Sequence, residues 1–330
     1  MSGKKFDLIK SIRGTDLYVP LVDYLNKGAK RGIELTDYQP INEYYTMAEG
    51  TTTDWTGFPI SGKTMLLFNF LIEASRRHGW KHVLYTPDAG NPVEVVADLI
   101  SIYTGKRFVG NYGNKITEQE IADALHFIDH FFLLVEKKDL KKRITPDAFW
   151  DFVAEMHVKD QSIKTGVIDS WKDLYHDDRD YKREDKYLED ILSYRNVLAE
   201  REGLHFHTVI HPTKPQRDNL NQIKPPTAYD LKGGSEWFNN AKNIIAVHRP
   251  SKDTNLAEVY VRKVKPRSIG KIGKFDLFFD FTTLRYYYIS PSGRWFLNGK
   301  EMTDKRAIMK EGGMTIITQE PTQKENEIPF

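Results

Sequence analysis

Two kinds of apolar patterning divide the chain. Over roughly its first two-thirds, short β-branched or apolar runs alternate with stretches whose apolar positions recur at helical spacing; the remainder is rich in strand-like runs. Residues 51–56 are β-prone, and 65–74 predict a helix without Pro or Gly. Residues 81–86 read as a buried strand, 87–92 as a Pro- and Gly-bearing loop, and 93–103 as a helix on Val95, Val96, Leu99, Ile100 and Tyr103. Thr117 and Glu120 form a capping box that opens another helix. Residues 131–135 predict a short strand, and Thr145 with Pro146 starts the next helix with Pro at its first position. A strand at 166–170, a helix at 187–201 stopped by Gly203 and a strand at 205–210 follow. Residues 214–232 are polar, basic and Pro-bearing, as expected of a mobile loop. A short helix from Glu236 to Ala241, strands at 243–248, 257–264 and 275–281, and a hairpin beginning at 284 complete the pattern.

This order predicts an α/β fold: a mostly parallel twisted sheet, helices on both faces and an antiparallel C-terminal edge. Residues 1–35 read as an arm or linker, in which 17–25 is compatible with a short helix or a strand. Residues 36–290 form the main domain. Residues 291–330 hold a hairpin and a Gln-, Glu-, Pro- and Thr-rich tail, expected to be disordered after Lys310.

One stretch carries chemistry on its own. Gly57, Phe58, Pro59, Ile60, Ser61, Gly62, Lys63 and Thr64 read G-x-x-x-x-G-K-T, between a strand and a helix N-terminus. In such a P-loop, glycines let backbone N–H groups cradle phosphate oxygens, the lysine reaches the β- and γ-phosphates, and the hydroxyl holds Mg²⁺. Gly57, Pro59, Ser61, Gly62, Lys63 and Thr64 are therefore the candidate ATP-binding residues, where the alternative is a chance match.

Composition narrows the picture further. The 330 residues are 40% hydrophobic and 12% aromatic, enough for a real core. The formal net charge is only +2, so any nucleic-acid site has to be a local patch. Cys is absent, which excludes disulfides and thiol chemistry and agrees with a cytoplasmic location. The N-terminus lacks the apolar core of a signal peptide, and no apolar run is long enough to span a membrane.

A P-loop needs an acid on an adjacent strand to hold Mg²⁺, and Val167, Ile168 and Asp169 supply a strand ending in one. The competing reading is a strand-end acid capping the next turn. Thr64 and Asp169 are the candidate metal ligands. Asp88, just past a strand end, faces the same crevice and is a candidate for orienting water, with a turn residue as the alternative. His211 ends another strand and is placed to sense a γ-phosphate; a structural histidine is the competing reading. Tyr260, Val261, Arg262, Lys263, Val264, Lys265, Pro266 and Arg267 put cations on a late strand, either as a solvated edge or as a finger for a neighbour's phosphate.

Taken together, these motifs carry a resemblance. To the P-loop, Pro87-Asp88, Asp169-Ser170-Trp171 and Val209-Ile210-His211-Pro212 are added Gly233-Gly234-Ser235-Glu236-Trp237-Phe238-Asn239-Asn240-Ala241, Val247-His248-Arg249 and Val261-Arg262-Lys263-Val264-Lys265. The chain resembles the RecA-like ATPase domain of DnaB-type replicative helicases, closest to the Twinkle and phage primase-helicase branch, over about residues 35–290. The resemblance implies a hexamer that uses ATP and Mg²⁺ to translocate on single-stranded DNA, in a bacterial or phage-infected cytoplasm. By resemblance, Lys63 and Thr64 are the Walker A pair and Asp169 the Walker B acid. Asp88 stands for a catalytic Glu, and His211 is the phosphate sensor. Lys263 and Lys265 stand for a trans-acting Lys-x-Arg. The loop bearing Lys214, Arg217, Lys224 and Lys232 falls where the family contacts DNA.

Two departures bear on rate. Asp88 is one methylene shorter than Glu, and Lys265 lacks the planar fork of Arg, for which Arg267 is the nearby substitute. A primase domain and a large N-terminal domain are also absent from the sequence, so a separate primase, loader or polymerase is expected. The alternatives are a RecA-like DNA-binding ATPase without unwinding activity, serving recombination or packaging, and a degenerate ATPase.

Overall fold

The computed structural model describes residues 12–302 except 30, 36–40, 109–114, 137–142, 178–182, 220, 252–253, 291, 293 and 298–299. The tail expected to be disordered lies outside the described residues.

The elements are α1 (Tyr18–Lys27), α2 (Ile41–Tyr44), β1 (Thr51–Thr56), α3 (Lys63–His78), β2 (Lys81–Tyr85), α4 (Pro92–Thr104), α5 (Glu118–Phe131), β3 (Phe132–Leu134) and α6 (Pro146–Lys159). After them come β4 (Ile163–Asp169), α7 (Glu184–Glu202), β5 (His205–Ile210), α8 (Gly234–Asn240), β6 (Asn243–His248), β7 (Leu256–Lys263), β8 (Gly273–Asp280), β9 (Arg285–Ile289), β10 (Trp295–Leu297) and β11 (Lys300–Met302).

Local chemistry sets many of these boundaries. Asn91 caps α4 by accepting from the Val93 and Glu94 amides, and Thr117 caps α5 by accepting from Glu120, each with the reciprocal Glu contact of a capping box. Thr145 caps α6 ahead of Pro146. The segment expected as either helix or strand near residue 20 is α1, and it has no buried residue.

The strands form one sheet in the order β11-β10-β9-β8-β7-β6-β1-β5-β4-β2-β3. The run from β6 to β3 is parallel, and every pair from β6 to β11 is antiparallel. Alternating strand residues feed two cores. On one face, Trp55, Leu84, Val167, Val209 and Ile245 pack with Leu66, Leu67 and Phe70 of α3 and with Val95, Leu99, Ala124 and Ile128 of α4 and α5. On the other, Val83, Tyr85, Ile168 and Phe206 pack with Phe149, Trp150 and Val153 of α6 and Leu198 and Ala199 of α7. Each fully buried Val, Leu, Ile or Phe among them contributes about 1.5–3 kcal/mol. Trp55 also satisfies its indole by donating to His207 Nδ1 at 3.1 Å.

The register lines up the ends of the central parallel strands. Thr56 lies opposite Ile210, Asp169 opposite Val209 and Tyr85 opposite Ile168. The segments leaving β1, β5, β4 and β2 therefore emerge side by side along one edge, where open parallel sheets bind ligands.

Candidate active site

β1 is central, flanked by β5 and β6, so the loop that leaves it starts from a buried, doubly paired strand. Gly57 makes the first close approach. A Cβ there would lie 2.4 Å from Ser61 Oγ and 2.6 Å from the Val247 carbonyl oxygen, so only glycine fits. Pro59 and Ile60 form the exposed crest, with Ile60 at φ 68. A β-branched residue in the left-handed region is strained by about 1–2 kcal/mol, as functional loops commonly are. Gly62, at φ 86, turns the chain into α3, and its carbonyl accepts from Tyr286 Oη at 2.8 Å. Lys63 opens α3 almost fully buried, and Ser61 Oγ is buried without a hydrogen-bond partner.

Thr64 and Asp169 meet directly: Thr64 Oγ1 donates to Asp169 Oδ2 at 2.6 Å. Asp169 is 1% exposed, and its second oxygen, Oδ1, is buried with no hydrogen-bond partner. A hydroxyl and a carboxylate side by side, with one oxygen unsatisfied, match the oxygen donors Mg²⁺ takes. Burial pushes the Asp169 carboxyl up to about 6, against the Thr64 hydrogen bond and the Lys63 charge. Burial likewise lowers the Lys63 ammonium, and the Asp169 and Asp88 charges partly restore it.

Asp88 closes the other side. Its amide donates to the Asp169 carbonyl at 3.1 Å, and its Oδ2 lies 3.0 Å from His211 Nε2. Its Oδ1 is 2.5 Å from Lys172 Nζ. Partial burial alone would raise Asp88, but hydrogen bonds from Lys172 and His211 hold it below the usual carboxylate range. Burial and the nearby Lys63 charge lower His211, against Asp88. Lys63, Thr64, Asp88, Asp169 and His211, picked from four separate stretches of sequence, thus lie together at one sheet edge.

The remaining candidates sit elsewhere. Lys263 occupies an inward position on β7, where every second residue is buried. Its ammonium is bound inside its own chain, by the carbonyls of Phe238 and Asn239 at the end of α8. Burial and the Lys265 charge lower it to about 8. Lys265 and Arg267 follow it and are exposed. Lys214, Arg217, Lys224 and Lys232 are exposed as well. The stretch expected as a mobile loop contains a small hairpin, because Asp218 and Asn221 close a turn beneath the Arg217–Ile223 bridge and Lys224 donates to the Gln216 carbonyl. Arg217 binds the Asn221 carbonyl, and Lys232 pairs with Glu184.

Sequence reasoning missed several neighbours of the site. Lys172 and Asp173 lie just after Asp169, and that proximity was the only available signal. Tyr286, which binds Gly62, comes from the distant strand β9, and Arg249, quoted above without a role, follows β6 with its guanidinium 4.7 Å above the Phe281 ring. Asp54, fully buried in β1, is bound by Arg195 at 2.6 and 3.0 Å.

No protein-family model matches the chain. The chain is 26% identical over 273 residues to the Twinkle homolog protein, chloroplastic/mitochondrial, of Arabidopsis thaliana, covering 76% of this chain and 36% of that protein. The chain thus spans little more than a third of that relative's length. Among solved structures, the ATPase domain of G40P superposes with a TM-score of 0.68 at 13% identity, over 85% of this chain and all of that domain. A DnaB-like replicative helicase, described with its interactions with primase, gives a TM-score of 0.66 at 13% identity over 83% of this chain and 68% of that one. The fold matches that of the G40P ATPase domain and of the DnaB-like helicase, and in sequence the chain resembles the Arabidopsis Twinkle homolog. Among the described residues, no helix is long and apolar enough to cross a membrane.

Proposed function

We propose that this chain is the ATP-driven motor of a replicative-type DNA helicase, working as a hexamer on single-stranded DNA. The observation that carries the reading is the 2.6 Å contact between Thr64 and Asp169, next to the Asp88–His211 pair at 3.0 Å. A P-loop hydroxyl, a strand-end acid, a second carboxylate and a histidine converge where a nucleoside triphosphate would lie.

This reading assigns the following roles. The P-loop amides and Lys63 hold the β- and γ-phosphates. Mg²⁺, held by Thr64 and Asp169, would neutralise phosphate charge. Asp88 accepts a hydrogen bond from the attacking water and so aims its oxygen at the γ-phosphorus. The water oxygen bonds that phosphorus as its bond to the bridging oxygen breaks, giving ADP and phosphate, and the water's proton passes to the phosphate oxygens. With its carboxyl held low, Asp88 acts by orienting water more than by removing its proton. His211 contacts Asp88 and reports the γ-phosphate to the segment that follows β5. Arg249 and Phe281 offer a planar cation and a ring for the base. Lys265 and Arg267, exposed at the end of β7, are the cations available to a neighbouring subunit's phosphate. Lys214, Arg217, Lys224 and Lys232 supply phosphate contacts to DNA, whose affinity depends on six copies and falls with salt.

Strand displacement on a forked duplex tests this reading. Wild type with Mg²⁺ and ATP is expected to unwind, and Lys63→Ala is not. ATP hydrolysis without displacement at any salt would support a DNA-binding ATPase that does not unwind.

A further inference from the structure

Lys172 belongs to none of the motifs above, yet its ammonium sits on the carboxylate proposed to aim the water. Its Nζ lies 2.5 Å from Asp88 Oδ1, and 3.2 and 3.1 Å from the two oxygens of Asp173. Asp173 is itself anchored, accepting from the Ser170 hydroxyl at 2.7 Å and the Ser170 amide at 3.3 Å. With His211 on Oδ2, each Asp88 oxygen already faces a hydrogen-bond partner.

Three facts suit this lysine to exchange partners. Its side chain is 55% exposed, so the stem has room to turn. An ammonium on a four-carbon stem reorients easily and carries three donors. It also shares the Asp88 carboxylate with His211, 2.5 and 3.0 Å away on its two oxygens, so it stands at the same end of the site. A γ-phosphate held by Lys63 brings negative charge that competes with Asp88 for this ammonium and removes the repulsion between the two lysines.

We propose that Lys172 is a γ-phosphate-responsive positioning residue: it holds Asp88 while no γ-phosphate is present, and turns onto the γ-phosphate when a triphosphate binds, leaving Asp88 Oδ1 to accept from water. The proposal rests on the ATPase reading above and adds to it a residue that tells ATP from ADP within one subunit.

Equilibrium binding separates the two ideas. Affinities for a non-hydrolysable ATP analogue and for ADP, both with Mg²⁺, are measured on the full chain as wild type, K172M and K172R. K172M is expected to weaken the triphosphate analogue about tenfold, the effect of losing one charge-assisted hydrogen bond, and to leave ADP within about twofold. K172R, which keeps the charge, is expected to recover most of the difference. K172Q serves as a second neutral variant should K172M fold poorly, and is judged by the same ratio. Wild type that favours the triphosphate while K172M or K172Q favours it equally overturns the role of Lys172 alone. Equal weakening of both nucleotides overturns it too. Wild type that binds neither nucleotide overturns the ATPase reading, and this proposal with it.

Discussion

Arg195→Met isolates the buried ion pair under the P-loop strand. Arg195 and Asp54 are 0% and 1% exposed. Arg195 Nη1 donates to Asp54 Oδ1 at 2.6 Å and to Thr208 Oγ1 at 2.8 Å, and Nη2 donates to Asp54 Oδ2 at 3.0 Å. Its guanidinium also lies 5.9 Å from the ring centres of Trp150 and Trp237. Methionine keeps most of the apolar stem but removes all three hydrogen bonds. Asp54 then stays in a site whose burial already raises its carboxyl, without the Arg195 charge that opposed the shift. Removing one partner of such a pair costs about 3–5 kcal/mol, a large share of the roughly 5–15 kcal/mol that holds a typical domain folded. Urea unfolding followed by circular dichroism measures the loss as a lower midpoint at unchanged slope. The double variant Asp54→Val with Arg195→Met exchanges the pair for apolar groups and is expected to recover at least about half of the loss. A loss below about 1 kcal/mol, or a double variant no better than Arg195→Met, would refute the assignment of this pair as a tightly coupled buried unit.

Three further outcomes are expected. Burial holds His82 down to about 3, His205 to about 4 and His207 well below its ordinary value, so all three stay neutral in the fold while the unfolded chain protonates near 6.5. Their contribution is full above about pH 6.5 and falls as pH drops toward 4, by up to about 4 kcal/mol per unit for three groups; urea midpoints at pH 7, 6 and 5 check this, and a flat series contradicts it. Gly57→Ala forces a methyl onto Ser61 Oγ and the Val247 carbonyl, at 2.4 and 2.6 Å, and is expected to weaken nucleotide binding at least about tenfold, read by titration against ADP. Asp88→Glu restores the longer carboxylate and is expected to raise steady-state ATP turnover while leaving ADP affinity unchanged; a slower enzyme with intact ADP binding argues against Asp88 as the water-orienting group.

The parts of the site legible in the sequence are those written locally. Gly57 to Thr64, the strand ending at Asp169 and the Thr117–Glu120 cap each depend on neighbours within a few positions; in the fold Thr64 meets Asp169 and the cap is formed. The features that escaped detection depend on pairs far apart along the chain. Lys172 meets Asp88 across 84 positions, Arg195 meets Asp54 across 141 and Tyr286 meets Gly62 across 224. No local period encodes such meetings; the strand order does. Lys263 is an intermediate case. Ala257, Val259 and Val261 are buried at every second position of β7, and that alternation, continued, puts Lys263 inside as well. The basic stretch after His211 reads as a mobile loop because its turn rests on Asp218 and Asn221, a short-range signal outweighed by its prolines and charges.

The most direct test is the rate of Mg²⁺-dependent ATP hydrolysis with and without single-stranded DNA, for wild type beside Lys63→Ala. The account predicts hydrolysis by wild type that rises with DNA, and none above background for Lys63→Ala. Wild type that does not hydrolyse ATP, or a Lys63→Ala variant that matches it, would contradict the claim that this P-loop drives a DNA motor.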